Sequence, residues 1–93
     1  MIGNFGCKNT KKVWESRFTN KWSTDIQNRA LRKLYMIHAA EQIEDLMVPP
    51  SNHLHKLRGN FGEFYAIRIN MQWRIIFKWE NSHAYDVQIV DYH

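Results

Sequence analysis

Apolar residues recur at helical spacing through the first half of the chain and at strand spacing through the second, with the change of period near Glu63. Met1 to Phe5 alternates as a short strand. Lys8 to Phe18 predicts a helix with Val13, Trp14 and Phe18 on one side. Ser23 or Thr24 can cap a longer helix in which Ile26, Ala30, Leu34 and Ile37 form an inward stripe, and the stripe continues past Ala40 to Ile43 and Leu46. The Arg and Lys side chains of that helix point away from the stripe. Pro49 and Pro50 stop helical continuation, and Ser51, Asn52 and Gly59 mark a loop.

Beyond Glu63 the period is two. Tyr65, Ile67 and Ile69 share one face, with Phe64, Ala66 and Arg68 on the other. Trp73, Ile75, Phe77 and Trp79 alternate with Arg74, Ile76 and Lys78, and Tyr85, Val87 and Ile89 alternate with Asp86, Gln88 and Val90. The connections around Asn70–Gln72 and Asn81–His83 are short enough for hairpins, which predicts a three-strand antiparallel meander covered by the helices. The fold class is α+β. Matching the apolar faces of the first hairpin sets Ile67 opposite Ile75 and Tyr65 opposite Phe77, so Arg68 falls across from Arg74. Like charges in that position repel, which favours either solvent screening or an anion, such as a phosphate, between them.

At 93 residues the chain is read as a single domain over 1–93, and 44% hydrophobic content is enough for one core. Its apolar runs are far shorter than the roughly 20 residues that span a bilayer, and the start lacks a signal-peptide pattern, which predicts a soluble, cytoplasmic protein. Cys7 is the only cysteine, so an internal disulfide and a cysteine-rich zinc site are excluded. The net charge of +4 is unevenly spread. Residues 8–33 hold eight bases (Lys8, Lys11, Lys12, Arg17, Lys21, Arg29, Arg32, Lys33) against Glu15 and Asp25, a local +6, and the remainder carries −2. A basic face of this kind suits either solubility or a phosphate-rich partner.

The candidate chemistry is carried by His55, Arg58, Arg68, Arg74, Asp91, Tyr92 and His93, drawn from the loop, the meander and the end of the last strand. A last strand paired beside the Arg74 strand brings its final residues to one end of the sheet, where the loop can close over them. Cleaving RNA without a metal requires a base for the 2′-hydroxyl, cations for the phosphorane and an acid for the leaving oxygen, and this set contains each type. Histidines exchange protons near neutral pH, and Arg58 and Arg74 can grip phosphate oxygens in a bidentate way. Tyr92 can stack on a base or donate a hydrogen bond, and Asp91 can orient a histidine or an arginine. His53 and His55 lack the further ligands of a metal site, and neither a glycine-rich phosphate loop nor a Gly-x-Ser-x-Gly elbow is present. No cofactor is expected.

The segments Pro49-Pro50-x-Asn52, Leu57-x-Gly59, Ala66-Ile67-Arg68-Ile69-Asn70, Gln72-Trp73-Arg74-Ile75 and the closing Val90-Asp91-Tyr92-His93, with the early Phe5, carry a resemblance over essentially the whole chain. The sequence resembles the HigB toxins (plasmid-maintenance killer proteins) of type II toxin–antitoxin modules, within the RelE superfamily. That resemblance implies a small α+β toxin that enters the ribosomal A site, cuts mRNA during translation, and is neutralised by a helix-turn-helix, HigA-like antitoxin encoded beside it. It also implies that Arg74 contacts the scissile phosphate and that Tyr92 and His93 form the family's terminal pair. His55 and Arg58 match loop positions that are a histidine and a lysine in some members. Arginine in place of lysine makes Arg58 a phosphate clamp, because a guanidinium stays protonated. Lys8, Lys11, Lys12, Arg29, Arg32, Lys33 and Arg68 are then the expected contacts to RNA and ribosome.

Two other functions share these features. ParE-like relatives poison DNA gyrase by binding, and Arg74 with Tyr92-His93 disfavours that reading. A non-catalytic RNA or ribosome binder would use the basic segment alone and would leave the message uncut.

Overall fold

The computed structural model describes residues 1–92. Two α-helices, α1 (Lys8–Trp14) and α2 (Thr24–Ala39), precede four strands: β1 (His55–Lys56), β2 (Phe64–Arg68), β3 (Trp73–Glu80) and β4 (His83–Asp91). The strands form one antiparallel sheet in the order β1-β2-β3-β4. The helices cover one face. Ile26, Ala30, Leu34 and Ile37 of α2 and Val13 of α1 pack on Ile67, Ile69, Ile75, Phe77, Val87 and Ile89, all buried. The predicted register holds, with Ile67 opposite Ile75, Tyr65 opposite Phe77 and Arg68 opposite Arg74. That pairing puts Ile67, Ile69, Ile75 and Phe77 together against the helices.

Both helices are shorter than their apolar pattern. The α1 helix was expected to reach Phe18, but Ser16 takes a left-handed conformation (φ 60°). The Arg17 N–H then bonds the Lys12 carbonyl at 2.7 Å, and the Ser16 N–H bonds that of Val13 at 3.0 Å. This Schellman arrangement closes the helix and leaves Phe18 exposed. The Ser23 hydroxyl caps α2 by accepting from the Ile26 N–H at 3.2 Å. At Ala40 the backbone becomes extended. Asp45 then accepts from the Gln42 and Glu41 N–H groups, each at 3.0 Å, and starts a separate 3-10 turn at Ile43–Met47. Leu46 is still buried, so the stripe marked which residues face inward and not where the helix stopped.

The N-terminal segment runs beside β4 without forming a regular strand. Ile2 and Phe5 make single parallel bridges to Ala84 and Val87. Between those bridges β4 kinks at Asp86 (φ 52°), where its pairing with β3 shifts between Ile76 and Lys78. The loop after Pro50 contains more structure than expected. A 3-10 turn at Pro50–Asn52 leads into β1, whose His55 pairs with Ala66. No helix of the described residues is long and apolar enough to cross a membrane.

Candidate functional site on the helix-free face

Alternation along the strands sends Ala66 and Arg68 of β2, Arg74 and Ile76 of β3 and Gln88 and Val90 of β4 to the face away from the helices, and the β1 pairing places His55 there as well. Tyr92 extends this face, its N–H bonding the Gln72 carbonyl at 2.7 Å. The Arg74 guanidinium carbon lies 4.4 Å from the centroid of the Tyr92 ring. The His55 ring meets the same tyrosine edge-on, with centroids 6.1 Å apart and an interplanar angle of 80°. Arginine, tyrosine and histidine thus form a stack, and Tyr92 keeps 43% of its surface exposed.

Arg74 is aimed by the hairpin before it. The Asn70 side chain accepts from the N–H groups of Gln72 (2.9 Å) and Trp73 (2.8 Å), which shapes the turn. The Asn70 carbonyl accepts from Arg74 Nη1, as does the Trp73 carbonyl at 3.2 Å. Asn70 was not among the predicted site residues; its signal was its place at the head of the hairpin. Arg74 Nε and His55 Nε2 are shielded from solvent and have no hydrogen-bond partner among the described residues. Burial lowers the Arg74 guanidinium pKa from its ordinary value, the charge of Arg68 lowers it further, and Tyr92 acts in the opposite direction. A guanidinium still stays charged, so two like charges face each other across the ladder.

Of the predicted residues, His55, Arg74 and Tyr92 come together, with Arg68 beside them across the ladder. Asp91 sits next to Tyr92 and accepts from Gln72 Nε2 at 3.2 Å, tying the end of β4 to the hairpin. Arg58 is exposed ahead of the Gly59–Phe61 turn. It lies at the Phe64 end of β2, roughly 13 Å along the sheet from the arginine pair at about 3.3 Å per residue. His93 lies outside the described residues.

The expected basic surface divides in two. Arg29, Lys33, Ser51, Arg68, Ile69, Asn70 and Met71 line a trough of about 450 Å³ between α2 and the β2–β3 hairpin. A neighbouring cleft of about 390 Å³ shares Arg29, Lys33 and Ile69 and adds Arg32 and Met36. Among the described residues no carboxylate lines either cleft, although Arg29 pairs with Asp25 beside them at 3.3 Å. Arg68 belongs both to the trough and to the pair with Arg74, so this surface runs into the site. Lys8 and Lys11 line a different cleft with Gly3, Asn4, Phe5 and Cys7, and Lys12 is half-buried on the same helix. Lys33 is engaged within the protein, its Nζ 2.6 Å from Asn52 Oδ1, and burial lowers its pKa. Among the described residues no group of three or more His, Cys, Asp or Glu is placed to hold a metal ion.

The solution structure of a conserved hypothetical protein from Helicobacter pylori matches this fold with a TM-score of 0.56, over 99% of this chain and 96% of that one, at 13% identity. Two helices on one face of an antiparallel sheet define a RelE-like α+β fold. The family model described as the RelE-like toxin of the type II toxin–antitoxin system HigB matches residues 4–93, and the chain belongs to that HigB-like toxin family. Among its relatives, an uncharacterized protein of Haemophilus influenzae is 45% identical over 68% of this chain. Toxin HigB-1 of Vibrio cholerae is 39% identical over 66% of it. These matches span 62% and 64% of the relatives' own lengths. Endoribonuclease HigB of Proteus vulgaris is 30% identical over 100% of both chains.

Proposed function

We propose that this chain is the toxin of a toxin–antitoxin pair and acts as an endoribonuclease, cutting mRNA in the ribosomal A site without a metal ion. The observation that carries this reading is the Arg74–Tyr92–His55 stack beside Arg68 on the helix-free face. The end-to-end relative named as an endoribonuclease supports it. In the reaction a histidine takes the proton of the 2′-hydroxyl, the 2′-oxygen bonds to phosphorus, and the bond to the 5′-oxygen breaks as that oxygen gains a proton. The products carry a 2′,3′-cyclic phosphate and a 5′-hydroxyl. Arg74 and Arg68 offset the charge that grows on the phosphorane, and Tyr92 offers its exposed ring to the nucleotide. His55 and His93 are the two proton carriers, Arg58 clamps a phosphate at the rim, and Asp91 steadies the end of β4. The Arg29–Arg32–Arg68 surface and the Lys8–Lys11–Lys12 helix bind ribosomal or messenger phosphates. The partner that restrains the toxin in the bacterial cytoplasm is a helix-turn-helix, HigA-like antitoxin.

The test is a translation reaction on a defined message, with new 5′ ends mapped by primer extension, repeated without ribosomes and with a chelator. Cuts in register with the A site that need ribosomes and survive the chelator are expected. Intact message with stalled ribosomes would mean a binder, and gyrase-dependent DNA damage with intact message would mean a ParE-like poison.

A further inference from the structure

The loop that delivers His55 is held by a side chain that the site itself does not use. Asn52 is 0% exposed. Its Nδ2 donates to the carbonyls of Leu46 (3.1 Å) and Val48 (3.4 Å), and its Oδ1 accepts from Lys33 Nζ at 2.6 Å. One amide therefore clasps the 46–52 loop to itself and to α2, as a buried polar group must if its partners are to replace water. The next residue, His53, is exposed but sits in the left-handed region at φ 47°, ψ 47°. That turn brings the His53 carbonyl to 2.8 Å from His55 Nδ1. A carbonyl oxygen only accepts, so Nδ1 carries a proton, and in the neutral ring Nε2 is the nitrogen with the lone pair.

We infer that Asn52 and the left-handed His53 backbone are positioning elements that fix His55 as its Nδ1–H tautomer, with Nε2 as the proton acceptor of the site. The consequence for cleavage rests on the nuclease reading above; the tautomer does not. The fold contains both comparisons needed to judge it. His38 Nδ1 accepts from the Ile2 N–H at 3.2 Å, which puts its proton on Nε2. His83 repeats the contact to the residue two before it, Asn81, at 2.7 Å in an exposed hairpin turn. The carbonyl contact alone is thus a local device. What singles out His55 is the buried clasp behind it and the solvent-shielded Nε2 in the same stack as Tyr92 and Arg74. Lys33 moves from the RNA-contacting set to the support of this loop.

His53 gives a clean test, because its side chain is exposed and only its backbone is at issue. Replacing it with glycine keeps the left-handed turn, whereas β-branched valine resists it. Long-range nitrogen–proton NMR correlations at pH 8 read the tautomers directly. The wild type should show the Nδ1–H form at His55 and His83 and the Nε2–H form at His38. His53→Gly should keep the His55 form and cleave at the wild-type rate. His53→Val should shift His55 toward the Nε2–H form, leave His38 and His83 unchanged, and lower kcat about 100-fold with little change in KM. Lys33→Met should move the His55 signals in the same direction. An Nε2–H form at His55 in the wild type, or a His53→Val protein with the wild-type tautomer, overturns the proposal. If the wild type never cuts RNA, the nuclease reading fails while the tautomer measurements still decide this one.

Discussion

Arg68 and Arg74 stand directly opposite each other across β2 and β3, each on the face that the helices leave uncovered. Arg74 is held there by the carbonyls of Asn70 and Trp73, so the two charges are kept close instead of relaxing apart. Arg68→Gln should therefore raise stability in denaturant unfolding by up to about 1 kcal/mol, the scale of a cross-strand charge pair. Its cleavage should fall about tenfold as one phosphate contact is lost. Arg74→Ala should cost about 100-fold or more in cleavage with ribosome binding retained. Full activity in Arg74→Ala would remove the site proposed above.

The Tyr92 ring stacks on Arg74 and meets His55. Tyr92→Phe keeps both contacts and should retain most of the cleavage rate. Tyr92→Ala loses about 0.5–1 kcal/mol of cation–π contact as well as the nucleotide platform. Single-turnover rates for the two variants separate the roles. A phenylalanine variant as slow as the alanine variant would make the hydroxyl a proton donor.

Asn70 should matter more than a turn residue on the surface. Asn70→Ala removes two side-chain hydrogen bonds of the hairpin, each worth about 0.5–1.5 kcal/mol, and loosens the carbonyl that steers Arg74. The expected outcome is a lower unfolding midpoint together with a fall in kcat. Lost stability with unchanged kcat would leave Asn70 as a turn former only.

The two basic clefts can be told apart by salt. Arg29→Glu and Arg32→Glu act on the surface that runs into the site and should weaken ribosome binding and flatten its salt dependence. Lys8→Glu and Lys11→Glu act on the other cleft. Binding titrations at two or more salt concentrations give both slopes. Equal slopes for the two pairs would mean that both clefts touch phosphate.

Burial pushes the Cys7 thiol up, but hydrogen bonds from the Thr10 backbone and side chain and from the Asn9 backbone outweigh it. Lys21 adds its charge, so the pKa falls below its ordinary value. More thiolate is then present at a given pH. Alkylation by iodoacetamide should follow a pH curve shifted below that of free cysteine.

The strand register was legible from the chain because only one pairing sets Ile67, Tyr65, Ile75 and Phe77 together on the helix-covered face. Helix ends were not, because the left-handed Ser16 and the extended Ala40 stop the helices through backbone geometry while the apolar stripe runs on. The two residues of β1 show no period that could be read. Arg74 and Tyr92 stood out through the family resemblance, and the alternation placed Arg68 beside them. Asn52 and Asn70 stood in segments that carry the family resemblance, but their holding roles were hidden, since an asparagine in sequence does not say which carbonyls or N–H groups it will meet. The split of the basic surface was equally hidden, because it depends on how α1 and α2 lie over the sheet.

The segment that bridges β4 through Ile2 and Phe5 also protects a sheet edge. With it in place, the Ala84 N–H and the Val87 carbonyl are already bonded, to Met1 and Gly6. A protein trimmed of its first six residues would expose a long, apolar-flanked ladder, which is a template for strand-to-strand self-association. Those residues occupy the edge positions that the strand of a second copy would take.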